Sequence, residues 1–180
     1  IERNKDPADR RIHPVRLVCV VPDVHTDVIR GVACDTSGRI CTGSYDRSVC
    51  VFEGEQFERM QTRAPDDPAA SLPPRDPPRY TRWPNAHDAA VSVVSIDPIN
   101  AWILTGSYDG SVKVWTHEGA QLMHFAGFPG VDKITGLCHS PATGTYWASG
   151  GVSHGRGRVH VLDPRSPLDV TKYIEGVCGF

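Results

Sequence analysis

The sequence predicts an all-β chain assembled from repeated units of four short antiparallel strands, and three observations carry that prediction. The pentapeptide Thr-Gly-Ser-Tyr-Asp occurs twice, at Thr42–Asp46 and at Thr105–Asp109. Each copy runs into a short apolar strand ending in an aromatic, Val49–Phe52 and Val112–Trp115. Each is preceded by a histidine at a matched distance, 21 residues from His25 to Asp46 and 22 from His87 to Asp109. Two copies with their spacing kept define a repeated structural unit, and no helical periodicity interrupts them.

The clearer copy reads in order as follows. Val91–Ile96 is apolar and β-branched, and Asp97-Pro98-Ile99-Asn100 supplies turn chemistry. Ala101–Ser107 is the second strand, and Tyr108-Asp109-Gly110 a tight turn in which glycine takes positive φ. Ser111–Trp115 is the third strand, His117-Glu118-Gly119 a turn, and Ala120–Phe125 the fourth strand. The first copy runs Val28–Cys34, turn Asp35–Gly38, Arg39–Ser44, turn Tyr45-Asp46, Ser48–Phe52, turn Glu53-Gly54, and Gln56–Thr62. A third, degenerate copy places strands at Ile134–Ser140, Thr145–Ser149 and Arg158–Leu162, with Gly130 where the histidine belongs. Gly150–Gly157 stands in place of its Tyr-Asp turn. The strands are nearly all apolar rather than alternating, which suits sheets covered on both faces, and four-stranded units packed in this way are the blades of a β-propeller.

These residues resemble the WD-repeat β-propellers. That family's repeat has a histidine before the first strand, an aspartate in the turn between the second and third, and Trp-Asp closing the third. His87, Asp109 and Trp115 match, with Thr116 in place of the final Asp. His25 and Asp46 match, with Phe52-Glu53 in place of Trp-Asp. The third copy closes on Leu162-Asp163. The resemblance spans about residues 16–175. It implies three blades of an incomplete ring of about seven, completed by missing parts of the same protein or by another chain. The expected divisions are 1–21 (a charged segment and the outer strand of a preceding blade), 22–62 (blade 1), 63–84 (an insertion loop), 85–127 (blade 2), 128–175 (blade 3) and 176–180 (the next element). It also implies a hydrogen-bonded network in each of two blades: His25, Thr42 or Ser44, and Asp46 in the first; His87, Thr105 or Ser107, Asp109 and Trp115 in the second. Phe52 has no N–H, so the first network loses that donor. A buried carboxylate needs such donors. A Ser/His/Asp trio that recurs once per blade reads as architecture rather than as an active site.

The resemblance further implies a non-enzymatic platform that binds other proteins. In similar propellers the wide face is lined by the residue before the turn aspartate and by those three and five places after the histidine. Carried over, these are Tyr45 and Tyr108, then Val28, Arg30, Ala90, Ser92, Lys133 and Thr135. Tyrosines held on tight turns suit interface anchors, and Arg30 and Lys133 beside them suit an acidic or phosphorylated peptide. Leu162-Asp163-Pro164-Arg165 resembles the box by which some WD-repeat proteins dock as substrate receptors on a cullin-based ubiquitin ligase. Asp163 and Arg165 are its candidate contacts.

Composition narrows the alternatives. A net charge of −2 and a pI near 6.5 leave no general footprint for nucleic acid. No run of 18 apolar residues exists, so no membrane helix is expected. The segment Ile1–Arg11 is charged, and the chain opens on Ile rather than Met, which suggests a start further upstream. The six cysteines, at 19, 34, 41, 50, 138 and 178, sit mostly in expected strands without metal spacing. They read as reduced and buried, hence an intracellular protein of the cytoplasm or nucleus, with a Cys41–Cys50 pair as the alternative.

His25 to His87 spans 62 residues but His87 to Gly130 only 43; the surplus is Arg63–Pro84, with seven prolines. It reads as an extended surface loop between blades, with polyproline character over Leu72–Arg79. Arg75, Arg79 and Arg82 make it basic, and His154-Gly155-Arg156-Gly157-Arg158 is a second basic spot. Together they frame a less favoured reading, a ribonucleoprotein subunit resting on RNA phosphates. The spacing of His139, His154 and His160 matches no metal pattern, and no nucleotide-binding loop, nucleophile elbow or paired carboxylate motif is present. No cofactor, metal or catalytic residue is expected.

Overall fold

A computed structural model describes residues 20–56, 78–152, 155–165 and 172–174. Twelve strands form three sheets among these residues, each a simple up-and-down run of four. Blade 1 holds β1 (Ile29–Cys34), β2 (Ile40–Ser44), β3 (Val49–Phe52) and β4 (Tyr80–Trp83). Blade 2 holds β5 (Val91–Asp97), β6 (Trp102–Ser107), β7 (Val112–Trp115) and β8 (Gln121–Phe125). Blade 3 holds β9 (Lys133–Ser140), β10 (Thr145–Gly151), β11 (Arg158–Leu162) and β12 (Lys172–Ile174). All pairings are antiparallel. β5 lies against β1 and β2 of the preceding blade, and β9 against β5 and β6. The inner strands therefore stand side by side, as in consecutive propeller blades.

The turn residues explain why the chain folds back where it does. The Asp35 carboxylate accepts the backbone N–H groups of Ser37 and Arg39, and Gly38 takes φ 78° beside it. Asp97 does the same for Ile99 and Asn100, with Ala101 at φ 56°. The Ser-Tyr-Asp turns are three-residue loops closed by the amides of Arg47 and Gly110 on the carbonyls of Ser44 and Ser107.

The hydrophobic interior lies between the blades rather than within a central ball. Cys41, Val49, Val51 and Trp83 of blade 1 pack on Val91, Val94, Ile96, Ile103 and Trp115 of blade 2. Leu104, Val112, Val114 and Phe125 pack on Phe128, Ile134, Tyr146, Ala148 and Leu162. This is why β3, β6 and β7 show no alternation: both faces are covered. Close approach requires two glycines. A Cβ on Gly43 would stand 2.5 Å from a Val91 methyl, and one on Gly106 2.6 Å from an Ile134 methyl. Ser92 adds a polar tie, its hydroxyl donating to the carbonyls of Gly106 and of Ile134 in the next blade.

Two expectations are corrected. The fourth strand of blade 1 is Tyr80–Trp83, paired with β3, and not Gln56–Thr62. The Gln56 side chain bonds both the N–H and the carbonyl of Arg79, so the chain returns to β3 where it left it. The proline-rich surplus is thus inserted between β3 and β4 of one blade, not between blades; residues 57–77, with most of the polyproline stretch and Arg75, lie outside the described residues. The cysteines also divide: Cys41 and Cys50 are buried free thiols, but Cys34 and Cys138 are exposed free thiols. Burial raises the Cys50 thiol to about 11. Cys19 and Cys178 lie outside the described residues.

Candidate interaction surface

The two Ser-Tyr-Asp turns are built on near-identical hydrogen-bonded supports. In blade 2 the His87 Nδ1 lies 3.0 Å from the Asp109 carboxylate and its Nε2 lies 2.7 Å from Thr105 Oγ1. The Trp115 indole N–H donates to the same hydroxyl at 2.8 Å. With Nδ1 protonated, the donors run in one direction, from Trp115 to Thr105 to His87 to Asp109. The carboxylate also accepts the amides of Asp88 and Ser111 and the Ser111 hydroxyl, while Ser107 Oγ accepts the Asp109 amide.

Blade 1 repeats the arrangement. His25 Nδ1 stands 3.2 Å from Asp46, its Nε2 2.8 Å from Thr42 Oγ1, and the Ser48 hydroxyl donates to Asp46. Ser44 Oγ accepts the Asp46 amide. Phe52 offers no indole, and Arg82 of β4 supplies a different donor, its Nη2 2.9 Å from Asp46 Oδ2. Sequence reasoning missed Ser48, Ser111 and Arg82. The serines were findable, since one follows each turn aspartate by two places. Arg82 was not, because its strand was assigned to a loop.

Burial raises the carboxyls of Asp46 and Asp109, but hydrogen bonds outweigh it: from Ser48 and the Thr26 amide in the first, from His87 and Ser111 in the second. Both end well below the ordinary carboxylate range. Burial lowers His25 and His87 despite the neighbouring carboxylates, so both rings are neutral near pH 7. Among the described residues blade 3 does not repeat the network. By strand register Ala148 stands where Thr105 does and Leu162 where Trp115 does. Phe128 packs 4.9 Å from the ring of His160. At these two positions donor and acceptor are removed together, so neither leaves its former partner unsatisfied.

On these supports the turns carry their tyrosines to one face. The rings of Tyr45 and Tyr108 lie 5.7 Å apart, tilted by 54°, with their hydroxyls 3.3 Å apart. That hydrogen bond raises the Tyr45 phenol above its ordinary value. Arg30 stands over Tyr45 at 6.0 Å, and Lys133 of blade 3 stands over Tyr108 at 5.3 Å. Val28, Arg30, Lys133 and Thr135 are exposed, and Ala90 is half-buried. Ser92 is the exception among the expected contacts: it is buried and its hydroxyl is spent on two carbonyls, so it is closed to a partner.

The remaining candidate positions separate from this face. Arg165 forms a bidentate pair with Asp163, at 2.8 and 2.9 Å, so a docking partner at that corner must compete with an existing ion pair. Arg82 is engaged with Asp46 rather than displayed on a loop. His139 lies near Asp97 at 3.6 Å, while His154 is outside the described residues. Among the described residues no group of three or more His, Cys, Asp or Glu is placed to hold a metal ion.

Comparison with known proteins agrees with this architecture. The family model described as "WD domain, G-beta repeat" matches residues 17–53 and 79–116. The second match begins at the observed fourth strand of blade 1. A Ribosome biogenesis protein WDR12 homolog from Drosophila willistoni is 26% identical over 102 residues, covering 54% of this chain and 21% of its own length. The chain thus spans about a fifth of that relative. Two solved structures, of the RRP9 WD40 repeats and of U3-55K, each align with a TM-score of 0.59 at 18% identity. Each alignment covers 86% of this chain and 40% of theirs. At that identity they speak to fold alone. Two stretches match the family model and a third sheet is folded in the same way, so the chain is similar to WD-repeat proteins and has the architecture of consecutive β-propeller blades.

Proposed function

We propose that this chain is a non-enzymatic interaction platform whose partner-binding face is the one bearing Tyr45 and Tyr108. One observation carries the reading. Two aromatic side chains from successive blades are fixed by buried His–Asp supports and flanked by cations, at a place where the turns themselves do not need them. Rigid tyrosines lose little entropy on contact and are favoured as interface anchors. The polar trios beneath them face inward on their own blades and support turns.

Tagging the protein at its own locus and identifying its co-purifying partners tests this. Tyr45→Ala with Tyr108→Ala removes the partners while leaving the fold intact. Unchanged co-purification overturns the reading.

A second reading has its own support. The matching relative is named for ribosome biogenesis, which favours a place within a ribonucleoprotein assembly and a nuclear site of action. Partner sets enriched in ribosome-assembly factors support it, and partner sets without them dismiss it.

A further inference from the structure

The geometry points to an acidic peptide in extended conformation as the occupant of the tyrosine face, with two acidic side chains four residues apart and an apolar side chain midway. This rests on the platform reading above and names the chemistry of the partner.

Arg30, Tyr45, Tyr108 and Lys133 form one ladder that crosses all three blades, with steps of 6.0, 5.7 and 5.3 Å. Each cation rests on a ring, so its position is set before any ligand arrives and little ordering remains to be done on binding. The nearby Asp27 carboxylate accepts the Val28 amide and keeps its charge beside Tyr45. The ladder itself ends in two cations with an aromatic pair between them.

An extended chain rises about 3.4 Å per residue and points every second side chain to the same side. Residues i and i+4 then stand about 14 Å apart, so that acidic side chains reaching outward from them can meet the two cations while residue i+2 falls over the tyrosines. The motif is acidic-x-apolar-x-acidic. Single-stranded nucleic acid fits less well. Successive bases want parallel aromatic platforms, whereas here the rings are tilted by 54° and a cation already covers a face of each.

The test uses the full chain and an array of immobilised peptides of the form Glu-x-Leu-x-Glu, with x randomised. The comparison sets are Gln-x-Leu-x-Gln and Glu-Glu-Leu-x-x, and labelled oligo-uridine is titrated separately. The expected result is binding to the first set at least fivefold stronger than to either comparison set. Arg30→Ala and Lys133→Ala should each weaken it at least fivefold with no change in urea midpoint. Equal binding to all three sets overturns the inference, as does binding indifferent to both substitutions. Oligo-uridine binding that depends on Arg30 and Lys133, with no peptide bound, overturns it in favour of nucleic acid. If the tyrosine substitutions strip native partners but those of Arg30 and Lys133 do not, the acidic-peptide inference falls and the platform stands. If neither pair affects partners, both fall.

Discussion

Arg47 and Gly110 occupy the same place in two matching turns, at φ 69° and φ 78°. Glycine takes that conformation freely, whereas arginine pays for its Cβ there. Arg47→Gly should therefore stabilise blade 1, by about 0.5–1 kcal/mol in urea denaturation; a loss of stability would show that the arginine side chain contributes more than the backbone costs. The supports below the turns behave oppositely. Trp115→Phe copies the blade 1 residue but removes the only indole donor to Thr105, and should cost about 1–2 kcal/mol. Acid acts on the same groups with a definite sign. His25, His87 and His160 have lowered values in the fold, so the unfolded chain binds protons first as pH drops below about 6.5 and stability falls. Asp46, Asp97 and Asp109 are depressed, so their contribution is present above the unfolded carboxyl value and is lost on further acidification below about 4. The urea midpoint should decline from pH 7.5 to 5.5 and again below 4; a flat profile contradicts both halves.

At the scale of the strand, β4 does more than close a sheet. It brings Arg82 to Asp46, and that pairing is half open to water on the arginine side, so its worth is modest. Arg82→Met should lower stability by about 0.5–1 kcal/mol, more at low salt than at high; equal loss at both salt levels would point to packing instead of charge. β4 also shows where the sequence could and could not be read. Seven strands of blades 2 and 3 and the turns of blade 1 were legible because β-branched runs, Asp-led turns and the repeated pentapeptide are local signals. Tyr80–Trp83 was not. Its pairing with β3 is set by the Gln56 grip on Arg79 across the insertion, a contact without local periodicity. The same division holds for the site. Histidine, aspartate and tyrosine positions followed from their spacing, but the burial of Ser92 comes from the neighbouring blade, which one repeat read alone does not contain.

Across the whole molecule the two outer blades differ from the middle one by what covers them. Val94, packed on blade 1, is buried at 6% exposure, and its register counterpart in β1, Val32, is 71% exposed. On the far side Trp147 of β10 is 37% exposed where its counterpart Leu104 is fully buried. Val32→Glu should change the stability of the 180-residue chain by less than about 0.5 kcal/mol and reduce its self-association. Val94→Glu should unfold the contact between blades. Light scattering and denaturation of the two variants separate these outcomes, and equal damage from both would mean that Val32 is covered in solution.

The glycines at 43 and 106 extend this to the circumference. Each lets the inner strand of the following blade settle one methyl closer than any larger side chain permits. A wedge inserted there opens the angle between neighbours, and in a closed circle that angle fixes how many sectors complete the turn. Alanine at these two places would accordingly change the pitch of the assembly before it changed any hydrogen bond, and the tyrosines at the rim would be carried apart with it.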